Sequence, residues 1–457
     1  MSAEITIKQG MDLPMEGAPG SQVRDVRPQG PISVYPSEYK KLKFKVLVAE
    51  GDKVKRGGAI ARRKDLTDFL VRSPVAGTVK AIILGDRRSL KEIVIEPDGT
   101  DEQESFPSFA ADQLVKAGRQ DILDVVISSG LLACIHERPF DNMANPAHTP
   151  KSIFVNGMAT APFRPDAAVL LQGKEAEFQA GLNALTTLSD GPVHLNVSSD
   201  LKGSSTALTQ AQNVQVNYFA GPHPSGNTST HIHYLDPILP GDVVWTLRVS
   251  DVIRIGSLLT TGVFPNTQRI LVTGEGVKSE ARGYADVLTG TALSDIFQGV
   301  LEDGDQRVVR GDLLAGETVN PAEDGVYLYD QGFIAIPEDR ERILLGWYAP
   351  TKDQFSAHKV VPSAWLKDKL FSFGTSTRGS KRAMVLTGIY DPYVALDILV
   401  DPLSRACIAG ETEDAVAMGI LESVPEDFAL CTFICPSKTD FGTIIADALA
   451  AIEQEGI

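Results

Sequence analysis

Four cysteines and seven histidines supply most of the distinctive chemistry in this 457-residue chain. Two of the cysteines lie in CTFICPSK, residues 431–438, where Cys431, Cys435 and Pro436 form the tail of the four-iron cluster pattern C-x2-C-x2-C-x3-C-P. Counting back from Cys435 by the ligand spacing gives Cys431, Phe428 and Pro425; the same steps from Cys407 give Leu403, Val400 and Asp397. Neither Phe nor Pro can ligate iron. Three of the eight positions a two-cluster protein would need still hold cysteine. Cys407, Cys431 and Cys435 therefore read as small core residues of a helical region. Zinc would also need four ligands, and no histidine follows His358. Cys134 stands apart, and four cysteines at unrelated positions fit a reduced compartment without a disulfide framework.

A second stretch, GPHPSGNTSTHIHYLDP (221–237), carries His223, His231 and His233. On a strand, His231 and His233 would face the same side and His223 could complete a metal set. Asp236 is the one carboxylate at a ligand spacing, so the favoured reading is a Gly/Pro-rich loop whose imidazoles cap backbone groups. A loop at the carboxyl end of a sheet strand is also where α/β folds bind ligands. A third stretch, SGLLACIHERPFDNM (129–143), offers His136, Glu137 and Arg138 as acid–base groups. No Ser-His-Asp or Cys-His order surrounds them, and Arg138-Pro139-Phe140 reads as a helix exit.

The elements that must position these groups change character along the chain. Residues 40–98 break into short β-rich runs, KFKVLV, AIARR, FLVRSP, GTVKAIIL and KEIVIEP, divided by Gly and Asp turns. The phrases VAEGDKVKRGGAI and VRSPVAGTV resemble a biotinyl/lipoyl-type sandwich. The hairpin tip Pro74-Val75-Ala76-Gly77 lacks the lysine that carrier domains modify, so the shell is expected without the swinging arm. Residues 105–260 alternate: a helix over 109–128, strand 152–157, helix 174–188, strands 193–198, 214–221 and 243–249, then a helix from 251. That order predicts a mainly parallel, Rossmann-like α/β layer. No G-x-G-x-x-G follows its first strand and no G-x-x-x-x-G-K-[ST] occurs, so a phosphate grip is missing. Residues 262–320 read as an SLBB-like β-grasp module, with Thr289 or Thr291 capping a short helix and a hairpin continuing over 325–338. The C-terminal part is helical by three-to-four spacing and acidic, with 11 Asp+Glu against 2 Lys+Arg from 401 to 457. The fold class is α/β plus α+β, multidomain, divided as 1–104, 105–261, 262–350 and 351–457.

Net charge is −16, which argues against general nucleic-acid binding. Yet residues 1–100 carry 18 basic and 13 acidic groups, a net +5, against −21 for the remainder. Beside the plain reading of a solvated face, this asymmetry fits a docking face for an acidic partner or an anionic membrane surface. No apolar run reaches a membrane span, and the start MSAEITIKQGMDLP lacks a signal-peptide pattern, so a cytoplasmic location is expected.

Taken together, ITIKQGMDLPMEGAP (5–19), SGLLACIHERPF (129–140), AGPHPSGNTSTHIHYLDP (220–237), DVIRIGSLLTTG (251–262), LLGWYAP (344–350) and FALCTFICPSK (428–438) resemble the A-subunit family of the sodium-translocating NADH:quinone oxidoreductases. The resemblance covers essentially the whole chain. It extends distantly to the C subunit of the Rnf complex and to the flavin-binding subunit of respiratory complex I. Those relatives carry a glycine-rich flavin loop of the form GxGGAGFPT. Here the corresponding place is GLLACIHERPF, with Leu131, Leu132 and Ile135 where consecutive glycines would admit a flavin phosphate, and the acidic ECEP segment corresponds to MATAP (158–162).

The resemblance implies a peripheral subunit on the cytoplasmic face of the bacterial inner membrane. It would dock on the C subunit together with the integral-membrane B subunit, and hold no redox cofactor. The FAD, FMN, riboflavin and iron–sulfur groups would belong to other subunits, and the complex would oxidise NADH, reduce ubiquinone and export Na+. An apolar cleft in place of the flavin site suggests ubiquinone as a ligand, with Leu131, His136, Arg138 and Phe140 at its head group. The alternatives are a stand-alone flavin or iron–sulfur electron-transfer protein and a metal-dependent hydrolase built on His223, His231 and His233.

Overall fold

The structure is a computed structural model that describes residues 2–39, 41–340, 353–358, 362–366, 368–385 and 388–456. LLGWYAP lies outside the described residues. The short β-rich runs form two small sheets. One orders Ile32–Val34, Leu90–Pro97, Gly77–Leu84 and Lys53–Val54; the other orders Phe44–Val46, Ala59–Arg63 and Leu70–Arg72. Their inward residues, Ile60, Phe69 and Val71 from one and Val79, Ile93 and Ile95 from the other, merge into a common apolar core.

The middle of the chain builds a seven-stranded sheet in the order Glu4–Thr6, Gln215–Ala220, Val193–Ser198, Ser152–Asn156, Val244–Arg248, His136–Arg138 and Asn142–Met143. The first five strands run parallel; His136–Arg138 pairs antiparallel to them and Asn142–Met143 antiparallel to it. Strands covered on both faces read as continuous apolar runs, and SIFVN is buried at its first four residues. Alternation sends Ile153, Val155, Leu195 and Leu247 toward one core, and Phe154 and Val244 toward another shared with the C-terminal helices. The first face is covered by helices Glu175–Leu185 and Val249–Thr261. They cross closely because Gly181 and Gly256 sit at the contact: a Cβ on Gly256 would come 1.8 Å from the Glu177 carbonyl oxygen, and one on Gly181 2.2 Å from that of Val252.

A six-stranded sheet follows, ordered Glu317–Val319, Gln306–Arg310, Gly332–Pro337, Thr267–Thr273, Gly283–Leu288 and Val23–Val26. The C-terminal part folds as helices Val400–Ala409, Thr412–Ala417, Ala429–Ile434 and Phe441–Glu455. The first 34 residues thread the other units together: Glu4–Thr6 enters the seven-stranded sheet, Val23–Val26 the six-stranded sheet and Ile32–Val34 the four-stranded one.

Four expectations fail locally. The helix of 109–128 begins only at Arg119, because Gly118 adopts an extended backbone, and Val115 is 40% exposed. Residues 325–330 form no hairpin with the following strand. Gly332–Pro337 instead pairs in parallel with Thr267–Thr273 and antiparallel with Gln306–Arg310. The short helix Leu293–Phe297 is preceded by Ala292, so neither Thr289 nor Thr291 caps it. Arg138 ends a strand rather than a helix.

The glycine crossing yields a first prediction. Gly256→Ala should lower the stability of the chain by about 1–3 kcal/mol, since the added methyl must push two helices apart. Urea titration followed by circular dichroism measures it; an unchanged midpoint would contradict the close crossing.

Candidate functional site

The segment 129–143 occupies the junction of three units. Helix Arg119–Ser128 delivers the chain to Gly130, whose φ of +79° reverses it against the barrel strand; a Cβ there would meet the Leu70 carbonyl oxygen at 2.4 Å. One tight turn, Leu131–Cys134, is fully buried. Burial, then the charge of Asp251, pushes the Cys134 thiol up to about 12, which keeps it protonated and inert. The chain then runs as His136–Arg138, antiparallel to Val244–Arg248, and turns at Asp141, which holds φ +51°.

Strand alternation puts His136 and Arg138 on one face and Glu137 on the other. Glu137 accepts from Trp245 Nε1 at 3.0 Å and meets His148 Nδ1 at 2.9 Å, so it is a structural acceptor. On the opposite face Asp141 Oδ1 lies 3.4 Å from both His136 Nδ1 and Arg138 Nε. The surrounding protein works to raise the pKa of Asp141, whose side chain is 44% exposed, but His136 and then Arg138 outweigh it and hold the group at about 2. Arg138 is 3% exposed and donates from Nη1 to Ser229 Oγ at 3.2 Å. His136 is one-third exposed, and its ring meets Tyr329 edge-on at 5.7 Å.

The four residues expected at a head group therefore fall into three places. His136 and Arg138 are brought together through Asp141. Leu131 belongs to the large core, beside a cavity of about 30 Å³ also lined by Glu38, Tyr39 and Leu70. Phe140 packs against the C-terminal helical core. A cavity of that size holds about one water and no aromatic ring. With Leu131, Leu132 and Ile135 buried in the turn, the residues at this place do not fit a flavin phosphate. Asp141 and Tyr329 escaped sequence reasoning. Asp141 carried a weak signal, three residues beyond Arg138; Tyr329, nearly 200 positions away, carried none.

The histidine stretch lies on a helix, Thr228–Leu235, and not on a strand. Residues two apart on a helix diverge by roughly 200°. His231 is buried, bonds the Ser225 carbonyl through Nε2 at 3.1 Å and rests on Phe219; burial takes its pKa down to about 3. His233 turns the other way and meets Glu422 at 2.6 Å, while His223 meets Thr160 Oγ1 at 3.2 Å. Among the described residues no group of three or more His, Cys, Asp or Glu is placed to hold a metal ion. Cys431 and Cys435 are buried, with Cys435 Sγ 3.1 Å from Tyr390 Oη and accepting from Thr439 N at 3.3 Å. Phe428, Val400 and Leu403 are fully buried where thiolates would be required.

Family models place this arrangement. The NqrA N-terminal barrel-sandwich hybrid domain matches residues 5–98, and the NqrA second alpha/beta domain matches residues 117–264. The chain is 36% identical over 454 residues to the A subunit of the Na(+)-translocating NADH-quinone reductase of Yersinia pseudotuberculosis serotype I (strain IP32953), covering 99% of this chain and 100% of that one. It is 37% identical over 454 residues to the corresponding subunit of Alcanivorax borkumensis, and 36% over 452 residues to that of Neisseria meningitidis serogroup C, with the same coverage.

The chain belongs to the A-subunit family of the Na(+)-translocating NADH-quinone reductases. It is a mixed α/β multidomain member, with a barrel-sandwich domain first and an α/β domain second.

Glu38, on the cavity beneath Leu131, generates a second prediction. Burial, then Asp330, pushes its pKa from the ordinary 4.5 up to about 8, while its Oε2 accepts from Leu328 N at 2.8 Å. The folded chain thus holds this proton more tightly than the unfolded chain. Stability is full below the ordinary range and falls as pH rises through about 8. Glu38→Gln keeps the acceptor and removes the titration. Its thermal midpoint should match the wild type in acid and exceed it increasingly as pH rises; parallel curves would refute the assignment.

Proposed function

We propose that this chain works as the peripheral A subunit of a sodium-translocating NADH:quinone reductase, an enzyme that oxidises NADH, reduces ubiquinone and exports Na+. The observation that carries this reading is end-to-end similarity to relatives bearing that name, with 99% of this chain and 100% of theirs aligned. No helix among the described residues is long and apolar enough to cross a membrane, which suits a subunit held by others. We place it on the cytoplasmic face of the inner membrane, docked on the B and C subunits, with the flavins and iron–sulfur centre carried by its partners.

The domain division 1–104, 105–261, 262–350 and 351–457 belongs to this reading. So do a Rossmann-like second unit, an SLBB-like β-grasp third and a helical fourth. The five parallel strands support the second, and the separate six-stranded sheet supports the third. Affinity purification of the tagged chain from detergent-solubilised membranes should recover NADH:quinone reductase activity with the partner subunits. A chain recovered alone, with that activity left in the unbound fraction, would refute the reading.

Ubiquinone contact is proposed at the same junction. His136 is the partly exposed donor and Arg138 and Asp141 hold its ring, with Leu131 buried in the large core and Phe140 half-buried against the C-terminal helices. With Nδ1 directed at Asp141, His136 Nε2 bonds no described residue and is free to donate to a quinone oxygen. A photoactivatable quinone analogue in the intact complex should label 130–140, and His136→Ala should cut that labelling severalfold. Labelling confined to other subunits would sink the proposal.

A further inference from the structure

Four of the 18 basic residues among the first hundred share one face of the three-stranded sheet. Lys45 stands directly across from Arg62 in the antiparallel pair Phe44–Val46 with Ala59–Arg63. Lys64 N donates to the Lys43 carbonyl oxygen at 2.9 Å, so Lys43 and Lys64 form the next pair on the same face. Cross-strand partners lie about 5 Å apart, and like charges so placed destabilise a sheet. None of the four side chains enters an ion pair or a side-chain hydrogen bond with a described residue. Of the nearby carboxylates, Asp65 is taken by Arg63 at 2.6 and 2.8 Å, and Asp68 lies exposed on the turn that follows.

Lysines on an edge strand discourage unwanted strand pairing, which accounts for Lys43 and Lys45. It does not account for Arg62, which stands on the central strand of the sheet, or for Lys64 just past that strand's end. The block is repulsive, and negative charge brought from outside would relieve it.

We propose that this four-cation face docks an extended acidic segment of a partner polypeptide, laid along the open edge of Phe44–Val46. Among the described residues the strand has a hydrogen-bonded neighbour on one side only. A segment added on the other side would bring alternate side chains, about 7 Å apart, alongside Lys43 and Lys45. The Arg62 guanidinium can take a carboxylate in two-pronged fashion. Leu47, 43% exposed at the end of the row, offers an apolar stop. An anionic bilayer fits less well, because the other 357 residues carry −21 and would be repelled by it. The inference rests on the chain being a subunit of a membrane complex and names where that complex grips it.

The test uses the full-length chain with the double variant K43E/K45E, which leaves Arg62 and Lys64 in place. Cross-strand repulsion then becomes attraction, so the thermal midpoint should hold or rise while the cationic face is lost. Recovery of the membrane subunits with the tagged chain should fall at least about tenfold, and raising salt should weaken the wild-type association in the same direction. K116E/K174E, with the same charge change elsewhere, should recover them as the wild type does. Undiminished recovery with K43E/K45E would overturn the inference alone, as would an equal loss with K116E/K174E. Flotation of the wild-type chain, but not K43E/K45E, on phosphatidylglycerol vesicles with subunit recovery unchanged would assign the face to lipid and overturn it too. A wild-type chain recovered without partners would overturn the subunit reading and the inference with it.

Discussion

Three charges at the start of one helix hold this structure at its centre. Asp251 is buried, and burial alone would raise its pKa; Arg248 Nε at 2.8 Å, then Arg254, overcome that and keep the carboxylate below its ordinary range. The two arginines reach across to another unit. Arg248 Nη1 donates to the Tyr329 carbonyl oxygen at 2.9 Å and Arg254 Nη1 to that of Leu328 at 2.5 Å. Arg254 also bonds Gln268, while Glu38 of the N-terminal sandwich accepts from Leu328 N. Residues 327–330 are therefore clasped by their backbone from two sides. Breaking such a buried group by removing one partner typically costs about 3–5 kcal/mol. The clasp also sets the candidate site, because it fixes the Tyr329 ring against His136.

Much of the layer order is legible in the sequence. AIARR, GTVKAIIL and VHLNVS are strands over their full lengths; in the last two the β-branched residues favour it, and all three end near Gly or Asp turns. Four of the five parallel strands can be read from their β-rich runs; Glu4–Thr6, whose partner lies some two hundred residues on, cannot. What could not be read was pairing between distant segments. Gly332–Pro337 looks like the second arm of a local hairpin, yet its partners lie far upstream. The error at 109–128 has a local cause: helical spacing of apolar residues continued across Gly118, where the backbone does not.

The site was legible as composition and illegible as geometry. Ligand spacing sufficed to show why Phe428, Pro425 and Val400 could not hold iron, since that reasoning needs only residue types. The histidines failed as geometry because HIH reads equally well at period two or at the start of a helical turn, and Gly221–Asn227 feeds a helix there. The sequence singled out His136 and Arg138, which share one strand face. Their organising partner Asp141 was not singled out, because its importance arises from a strand that reverses at a left-handed residue.

The order in which the chain leaves the ribosome gives the threading of its first 34 residues a further consequence. Glu4 pairs with Tyr218, and Val23 lies beside Tyr284 and its neighbours. These early strands have no sheet to join until some two hundred later residues have been made. They wait as unpaired edges through that interval, and contacts of such sequence separation close slowly. Strands made some two hundred residues before their partners thus become the outermost members of two sheets, so each of those sheets is completed at its edge by a segment that has waited longest for it.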